Sequence, residues 1–185
     1  MKQLFFLSAV IFSSSLVACS NNAAEQNTTS TATEQTISTS ENAAAAPSAN
    51  TNATSLPAFA MQDVNGNPVS LESFKGKKVF VNLWASWCPP CRREMSSIEK
   101  LRNGVDSNKV AFVMLSLDDN FNKAKTFIKR QKLSLPLYYP AENLPALFNV
   151  QAIPTTFIFN EAGNLLQRVD GGDEYNSEAY RKLLQ

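Results

Sequence analysis

The side chains best suited to chemistry are two cysteines, Cys88 and Cys91, in the stretch WASWCPPCRRE at residues 84–94. Two thiols at this spacing can close into a disulfide and open again, exchanging two electrons with another disulfide. Pro89 and Pro90 lie between them, and proline is favoured at the first position of a helix. We predict Cys88 at a helix N-terminus, where unpaired N–H groups and the helix dipole favour an attacking thiolate. Cys91, one turn deeper, is predicted to be the resolving thiol.

A zinc site, a structural disulfide and a reduced buried pair are the alternatives to redox exchange. A zinc site needs further thiolate or imidazole ligands, but the sequence has no histidine and only one other cysteine, Cys19. A structural disulfide closing so short a loop would add little stability, and a reduced buried pair is not expected in an oxidising compartment. The absence of histidine also excludes a Ser-His-Asp triad and a Cys-His dyad. The prediction is redox exchange without a metal or cofactor.

Glu94 lies three residues after Cys91 on the same predicted helix. Its carboxylate could exchange a proton with the Cys91 thiol, or it could be an ordinary exposed helix glutamate. The residues alone leave both interpretations open. Arg92 and Arg93 are interpreted as solvated helix charges that could also favour the thiolate.

The chain begins with the pattern of an export signal. Lys2 precedes the apolar stretch LFFLSAVIFSSSLVA, which suits a secretory signal better than a membrane span. The run LVAC at residues 16–19 resembles a bacterial lipobox, which implies cleavage after residue 18 and lipidation of Cys19. The alternative is an ordinary signal that contains a cysteine. Ser20, by resemblance to sorted lipoproteins, favours the outer membrane.

Residues 19–55 follow as a predicted tether, dominated by Ala, Ser, Thr, Asn and Gln. Such a segment cannot bury enough apolar surface to fold, and as a flexible coil it would span about 30–35 Å. The folded domain is predicted over residues 56–185. With a formal net charge of +1 and no long basic run, the chain shows no sign of a nucleic-acid partner.

The pattern within the domain predicts one α/β fold with a mixed central sheet flanked by helices. An N-terminal β-hairpin turns at Asn65-Gly66, and the helix after the cysteines ends at Gly104. The other predicted elements are strands over 78–85 and 109–118, helices over 120–131 and 176–184, a short helical piece over 143–149, and strands TTFIF and NLLQRVD around Gly163.

The order of these elements, with VNLWASWCPPC and the later IPTTFIF, resembles the thioredoxin fold. It is most similar to the TlpA-like and ResA-like branch of membrane-tethered thiol–disulfide oxidoreductases, and the opening hairpin resembles one shared with peroxiredoxins. The resemblance implies a periplasmic monomer that acts on protein disulfides and receives electrons from a membrane-embedded thiol donor. Apocytochrome c is the branch's familiar client.

The resemblance also implies roles for individual residues. Pro154 would be a cis-proline that, with Ile153, faces the cysteines and binds a partner's backbone. Glu94 matches a glutamate of the ResA-like branch, and the resemblance therefore favours its catalytic role in proton exchange with Cys91. The acid that thioredoxin carries six residues before its first cysteine is replaced here by Asn82. Trp87, with Pro89 and Pro90, is expected at the partner-binding surface, and Trp84 is expected in the core.

Two alternative functions stay open, a DsbA-like dithiol oxidase and a non-catalytic binding lipoprotein. A Sco-like copper chaperone is excluded by the cysteine spacing and the missing histidine, and a peroxiredoxin by Ala85, where a threonine would be required. A reductant is favoured over an oxidant because Pro89 and Pro90 remove two N–H donors that could hold a thiolate. The predicted potential is below roughly −200 mV.

Overall fold

The computed structural model of the protein describes residues 54–185. The predicted signal peptide, Cys19 and the tether up to residue 53 lie outside the described residues. Within residues 54–185, the Thr54 carbonyl accepts a hydrogen bond of 2.7 Å from the Leu165 N–H, and Ser55 bridges to Asn164. No helix in this range has the length and apolar character needed to cross a membrane.

The described residues form one mixed sheet with three α-helices. The strands lie in the order β2-β1-β5-β4-β3-β6-β7. They are β1 (Ala60–Gln62), β2 (Pro68–Ser70), β3 (Lys78–Trp84), β4 (Val110–Ser116), β5 (Leu137–Pro140), β6 (Thr155–Phe159) and β7 (Leu165–Asp170). The α-helices are α1 (Pro89–Asn103), α2 (Phe121–Gln131) and α3 (Glu178–Leu184), and short 3₁₀ helices span Leu71–Phe74 and Ala146–Phe148.

The two central strands, β3 and β4, run parallel, and β6 pairs antiparallel with β3. Nearly every residue of β3 and all of β4 are buried, as their continuous apolar sequences predicted. Alternate side chains enter two cores because successive residues of a strand point to opposite faces. Phe80, Trp84 and their neighbours pack under the three helices, whereas Val79 and Val81 pack under the N-terminal segment. The predicted α/β architecture with its N-terminal hairpin is confirmed.

One strand, β5, has no counterpart among the elements predicted from the sequence. It spans only Leu137–Pro140, and a second proline, Pro136, directly precedes it. Proline is unusual inside a sheet, so local pattern argues against a strand here. The strand forms because β4 and β1 pair with it from its two sides. It thereby joins the N-terminal hairpin to the central sheet.

Candidate active site

Cys88 and Cys91 are joined by a disulfide at the start of α1. Cys88 is the N-cap residue, and its Sγ accepts a hydrogen bond of 3.3 Å from the Cys91 N–H. Pro89 and Pro90 occupy the first two helical positions, so neither offers an N–H to the sulfur. Cys88 is 3% exposed and Cys91 is fully buried, so only Cys88 presents an edge to solvent.

The segment before β6 lies against this disulfide. The Ile153–Pro154 peptide bond is cis, and the Ile153 carbonyl oxygen lies 3.6 Å from Cys88 Sγ. Pro154 is buried and Ile153 is half-buried, and β6 begins at the next residue, Thr155. The structure therefore brings Ile153 and Pro154 together with the cysteines from about sixty residues away in the sequence.

Beside the cis peptide, Trp87 is 63% exposed, whereas Trp84 is fully buried in the core. Trp87 borders a mostly apolar cavity of about 390 Å³. The other apolar side chains of its lining include Leu117, Leu144, Phe148, Val150 and Ile153. Since Ile153 also touches Cys88, this cavity opens directly next to the disulfide.

Glu94 is buried on α1, one turn beyond Cys91, with 3% of its surface exposed. This burial rules out the alternative of an ordinary exposed glutamate. Its Oε1 accepts a hydrogen bond of 2.8 Å from Asn82 Nδ2, and its Oε2 accepts one of 3.3 Å from the Asp173 N–H. Burial raises the pKa of Glu94 to about 7, an effect that the two hydrogen bonds oppose and the negative charge of Asp173 reinforces. The carboxyl group therefore titrates near neutral pH.

A network of polar side chains surrounds Glu94. Asn82 Nδ2 also donates to Thr156 Oγ1 at 2.9 Å, and the Tyr175 hydroxyl donates to the same oxygen at 2.7 Å. On the other side, the Asp173 carboxylate accepts a hydrogen bond from the Tyr180 hydroxyl of α3. In the sequence, Asn82 is notable only because it replaces the acid that thioredoxin carries at this position. Its contact with Glu94 depends on the packing of β3 against α1, which sequence spacing does not reveal.

Asp118 is a second buried acid near the site, and no sequence motif points to it. Its carboxylate accepts hydrogen bonds from the Ser86 N–H at 3.0 Å, from the Ser86 hydroxyl at 2.7 Å and from the Ser116 hydroxyl at 2.9 Å. Trp84 and Ser116 are partners in the parallel register, so the segments that leave β3 and β4 lie side by side. Asp118 thus fixes the loop that leads to Cys88.

No group of three or more His, Cys, Asp or Glu side chains within residues 54–185 is arranged to hold a metal ion.

Comparisons with known proteins show the family to which the chain belongs. The Redoxin family profile matches residues 51–184. The thioredoxin-like protein YneN of Bacillus subtilis is 34% identical over 130 residues, which cover 69% of this chain and 75% of that protein. The thiol-disulfide oxidoreductase ResA of Halalkalibacterium halodurans is 30% identical over 129 residues, covering 69% of this chain and 73% of the relative.

Solved structures show the same fold. The crystal structure of StoA from Bacillus subtilis is 27% identical with a TM-score of 0.59, covering 70% of this chain and 98% of StoA. A thiol:disulfide interchange protein of the thioredoxin family from Chlorobium tepidum is 28% identical with a TM-score of 0.62, covering 74% of this chain and 99% of that one. Together with the Cys88–Cys91 disulfide, these matches identify the chain as a member of the Redoxin family, a thiol–disulfide oxidoreductase with the thioredoxin fold and the character of the TlpA-like and ResA-like branch.

Proposed function

We propose that this protein is a membrane-tethered reductase of disulfides in exported proteins and works through Cys88 and Cys91. The observation that carries the proposal is the disulfide at the start of α1 with the buried Glu94 carboxyl one turn beyond it. A disulfide at a helix N-terminus, close in sequence to an acid that titrates near neutral pH, is suited to repeated thiol–disulfide exchange. This arrangement favours a redox role for the disulfide over a purely structural one.

The proposed reaction begins with the reduced chain. The Cys88 thiolate attacks one sulfur of the partner's disulfide, forms a mixed disulfide and releases the partner's other sulfur as a thiolate. Cys91 then loses its proton and attacks Cys88 Sγ, which releases the second sulfur of the partner and leaves the Cys88–Cys91 disulfide. The partner gains two electrons, and its two thiolates take up two protons. The greater exposure of Cys88 supports its assignment as the attacking residue.

Glu94 is proposed to take the proton from Cys91. A base works best when its pKa lies near the working pH, and the pKa of Glu94 is raised to about 7. Cys91 and Glu94 lie one turn apart on α1, and both are buried, so the proton would travel within a site shielded from bulk water.

The partner is proposed to bind across Trp87, Ile153 and Pro154. The apolar cavity bordered by Trp87 and Ile153 suits an apolar segment that flanks the partner's cysteine. Pro89 is exposed and Pro90 is half-buried, and both are proposed to contribute to partner binding from the α1 side of the disulfide.

The direction of electron flow follows from the support available to the Cys88 thiolate. An oxidant such as DsbA has a strongly stabilised thiolate with a pKa near about 3.5 and a potential near about −120 mV. Here the two prolines offer no N–H, and within residues 54–185 the hydrogen bond to Cys88 Sγ comes from Cys91. A weaker thiolate favours a potential below roughly −200 mV, with a membrane-embedded thiol donor restoring the dithiol.

The proposed location is the periplasm, with the chain anchored to a membrane by a lipid on Cys19, the outer membrane being favoured. Residues 1–18 would be the signal peptide, residues 19–55 the tether and residues 56–185 the catalytic domain, which would act as a monomer. Apocytochrome c is proposed as a client because it is the familiar client of this branch.

Trapping of partners tests the proposal. A Cys91→Ser variant should accumulate mixed disulfides with exported proteins, because the resolving step is blocked, whereas a Cys88→Ser variant should accumulate none. Non-reducing gels and mass spectrometry of the trapped species would show both patterns. Equilibration of the purified chain with glutathione gives the direction, and a potential near that of DsbA would identify an oxidase instead.

A further inference from the structure

A surface groove beside the disulfide has no role in the proposed reaction. It consists of two cavities of about 490 and 380 Å³, both bordered by Arg92, Phe127 and Gln131. Ser86 borders the larger cavity and Pro89 the smaller, so both reach the loop that carries Cys88. We call these two cavities the basic groove.

The name reflects the charge of the lining. Its charged side chains are all cationic, namely Arg92, Arg93, Lys123 and Arg130, and no acidic residue of the described chain borders either cavity. Lys123 is paired with Asp119 at 2.7 Å, but the three arginines form no salt bridge within residues 54–185. Clustered cations in a concave surface attract anionic groups and raise the rate at which they arrive.

Arg92, which directly follows Cys91 in the sequence, contacts an aromatic ring and forms no salt bridge within residues 54–185. The Phe127 ring lies 5.7 Å from Trp84, measured between ring centroids, and the Arg92 guanidinium carbon lies 5.5 Å from the Phe127 centroid. A guanidinium stacked on a ring keeps its N–H groups available for a carboxylate. Because its position is already restricted, less conformational freedom is lost when an anion binds.

We propose that the basic groove binds an acidic segment of the polypeptide whose disulfide exchanges with Cys88 and Cys91. This inference rests on the proposed function and adds a substrate preference, for partners with Asp or Glu close to a cysteine. Such a partner would place apolar residues in the cavity beside Trp87 and acidic residues past Pro89 in the basic groove. Complementary charge of this kind acts mainly on the rate of encounter and on partner choice.

Peptide reduction kinetics test the preference. Three synthetic peptides would share one disulfide and differ only in three flanking residues, which are Glu, Gln or Lys. We expect the reduced full-length chain, carrying Cys19→Ala to remove the third thiol, to favour the Glu peptide over the Gln peptide by about fivefold in the second-order rate constant of a single turnover at low ionic strength. The ratio should fall towards one in about 0.5 M sodium chloride, because salt screens exposed charges.

Two variants on the same helix locate the effect. Arg130→Glu changes a residue of the basic groove, and we expect it to remove or reverse the preference for the Glu peptide. Lys129→Glu makes the same charge change at an exposed neighbour that borders neither cavity, and it should keep the ratio within about twofold of the parent chain. Equal losses in the two variants would overturn the inference, since net charge alone would then explain the preference.

Direct binding separates this inference from the proposed function. A cysteine-free Glu peptide, titrated into the oxidised chain and followed by NMR, should shift the amide signals of Thr126 and Phe127 more than a Gln peptide does. Equal reduction rates for the Glu and Gln peptides, with no selective shift of the Thr126 and Phe127 amide signals, would overturn the inference. Reduction of the Gln peptide would still support the proposed function. Failure to reduce any peptide would refute the proposed function. The NMR titration would then show on its own whether the basic groove binds an acidic peptide. Arg130-dependent binding to phosphatidylglycerol vesicles, with no peptide preference, would assign the groove to lipid and overturn the inference.

Discussion

At the residue scale, burial of the Glu94 carboxyl group raises its pKa to about 7 from near 4.5, although the hydrogen bonds from Asn82 and the Asp173 N–H act in the opposite direction. Between these pH values the folded chain binds more protons than the unfolded chain. Glu94 therefore lowers the free energy of unfolding as pH rises from about 4.5 to about 7. Above that window the cost of holding the ionised group reaches about 3 kcal/mol, at about 1.4 kcal/mol for each pKa unit.

Glu94→Gln should remove this dependence. Relative to the parent chain, the variant should gain about 2–3 kcal/mol in the free energy of unfolding when the pH is raised from 4.5 to 8, because the amide does not ionise. Urea denaturation at both pH values measures the gain. Glu161→Gln, an exposed glutamate in a turn, is the control and should show no comparable change. If the difference in the free energy of unfolding between Glu94→Gln and the parent chain were the same at both pH values, the assigned pKa would be contradicted.

The same variant should slow the step in which Cys91 acts. We expect a chain carrying a coloured aromatic thiol on Cys88 to release it at least about tenfold more slowly with Glu94→Gln at pH 7. The parent rate should rise with a pKa near 7, and the variant should lose that rise. Stopped-flow absorbance in the Cys19→Ala background isolates this step, with Glu161→Gln as the control. An unchanged profile would leave Glu94 without a role in proton transfer.

The residues of the site differ in how far the sequence reveals them. Cys88 and Cys91 are recognisable because their spacing, with two prolines between them, suits redox exchange and little else. For Glu94 the residues alone left two interpretations open, because its neighbours in sequence do not report its burial, and only the family resemblance favoured a catalytic role. Asn82 donates to Glu94 from twelve residues away on a different element, so no local pattern identifies the pair.

At the element scale, the parallel register of β3 and β4 brings Asp118 to the loop before Cys88. Long apolar runs predicted both strands, because burial on two faces leaves a strong signature. The short β5 has no such sequence signature, since its strand conformation depends on pairing with β1 and β4. Loop-to-loop contacts such as Asp118 to Ser86 follow only once the strand order is known.

Asp118→Asn should loosen this loop. The new side chain keeps one acceptor oxygen but replaces the other with an NH2 group, so at least one of the hydrogen bonds from Ser86 and Ser116 loses its acceptor, which costs about 1–3 kcal/mol in the free energy of unfolding. Hydrogen exchange at the Ser86 amide should accelerate about tenfold or more. Asp119→Asn, at the exposed neighbouring acid, is the control. Unchanged exchange at Ser86 would show that the loop is held by other contacts.

At the scale of the whole molecule, the proposed activity depends on where the domain is held. A flexible tether on a membrane raises the effective concentration of the domain near a membrane-embedded donor, without any added contact between them. The signal peptide, Cys19 and the tether to residue 53 lie outside the described residues, so these parts rest on sequence pattern alone.

Cys19→Ala should leave the precursor unprocessed by lipoprotein signal peptidase and without attached lipid. Metabolic labelling with a radioactive fatty acid, together with gel mobility, measures both effects. Ser20→Ala is the control for processing and should still be cleaved and labelled. Normal cleavage and membrane retention of the Cys19→Ala variant would identify an ordinary signal and remove the lipid anchor.

The hydrogen bond from the Tyr180 hydroxyl to the Asp173 carboxylate connects α3 to the segment whose backbone N–H donates to Glu94. The helix Glu178–Leu184 therefore contacts the segment that holds Glu94, although it lies far along the chain from the cysteines. For protein engineering, a fusion partner or affinity tag placed directly after α3 would act on the acid behind the disulfide. A tag at that end should be separated from Leu184 by a flexible spacer if the predicted pH dependence is to be kept.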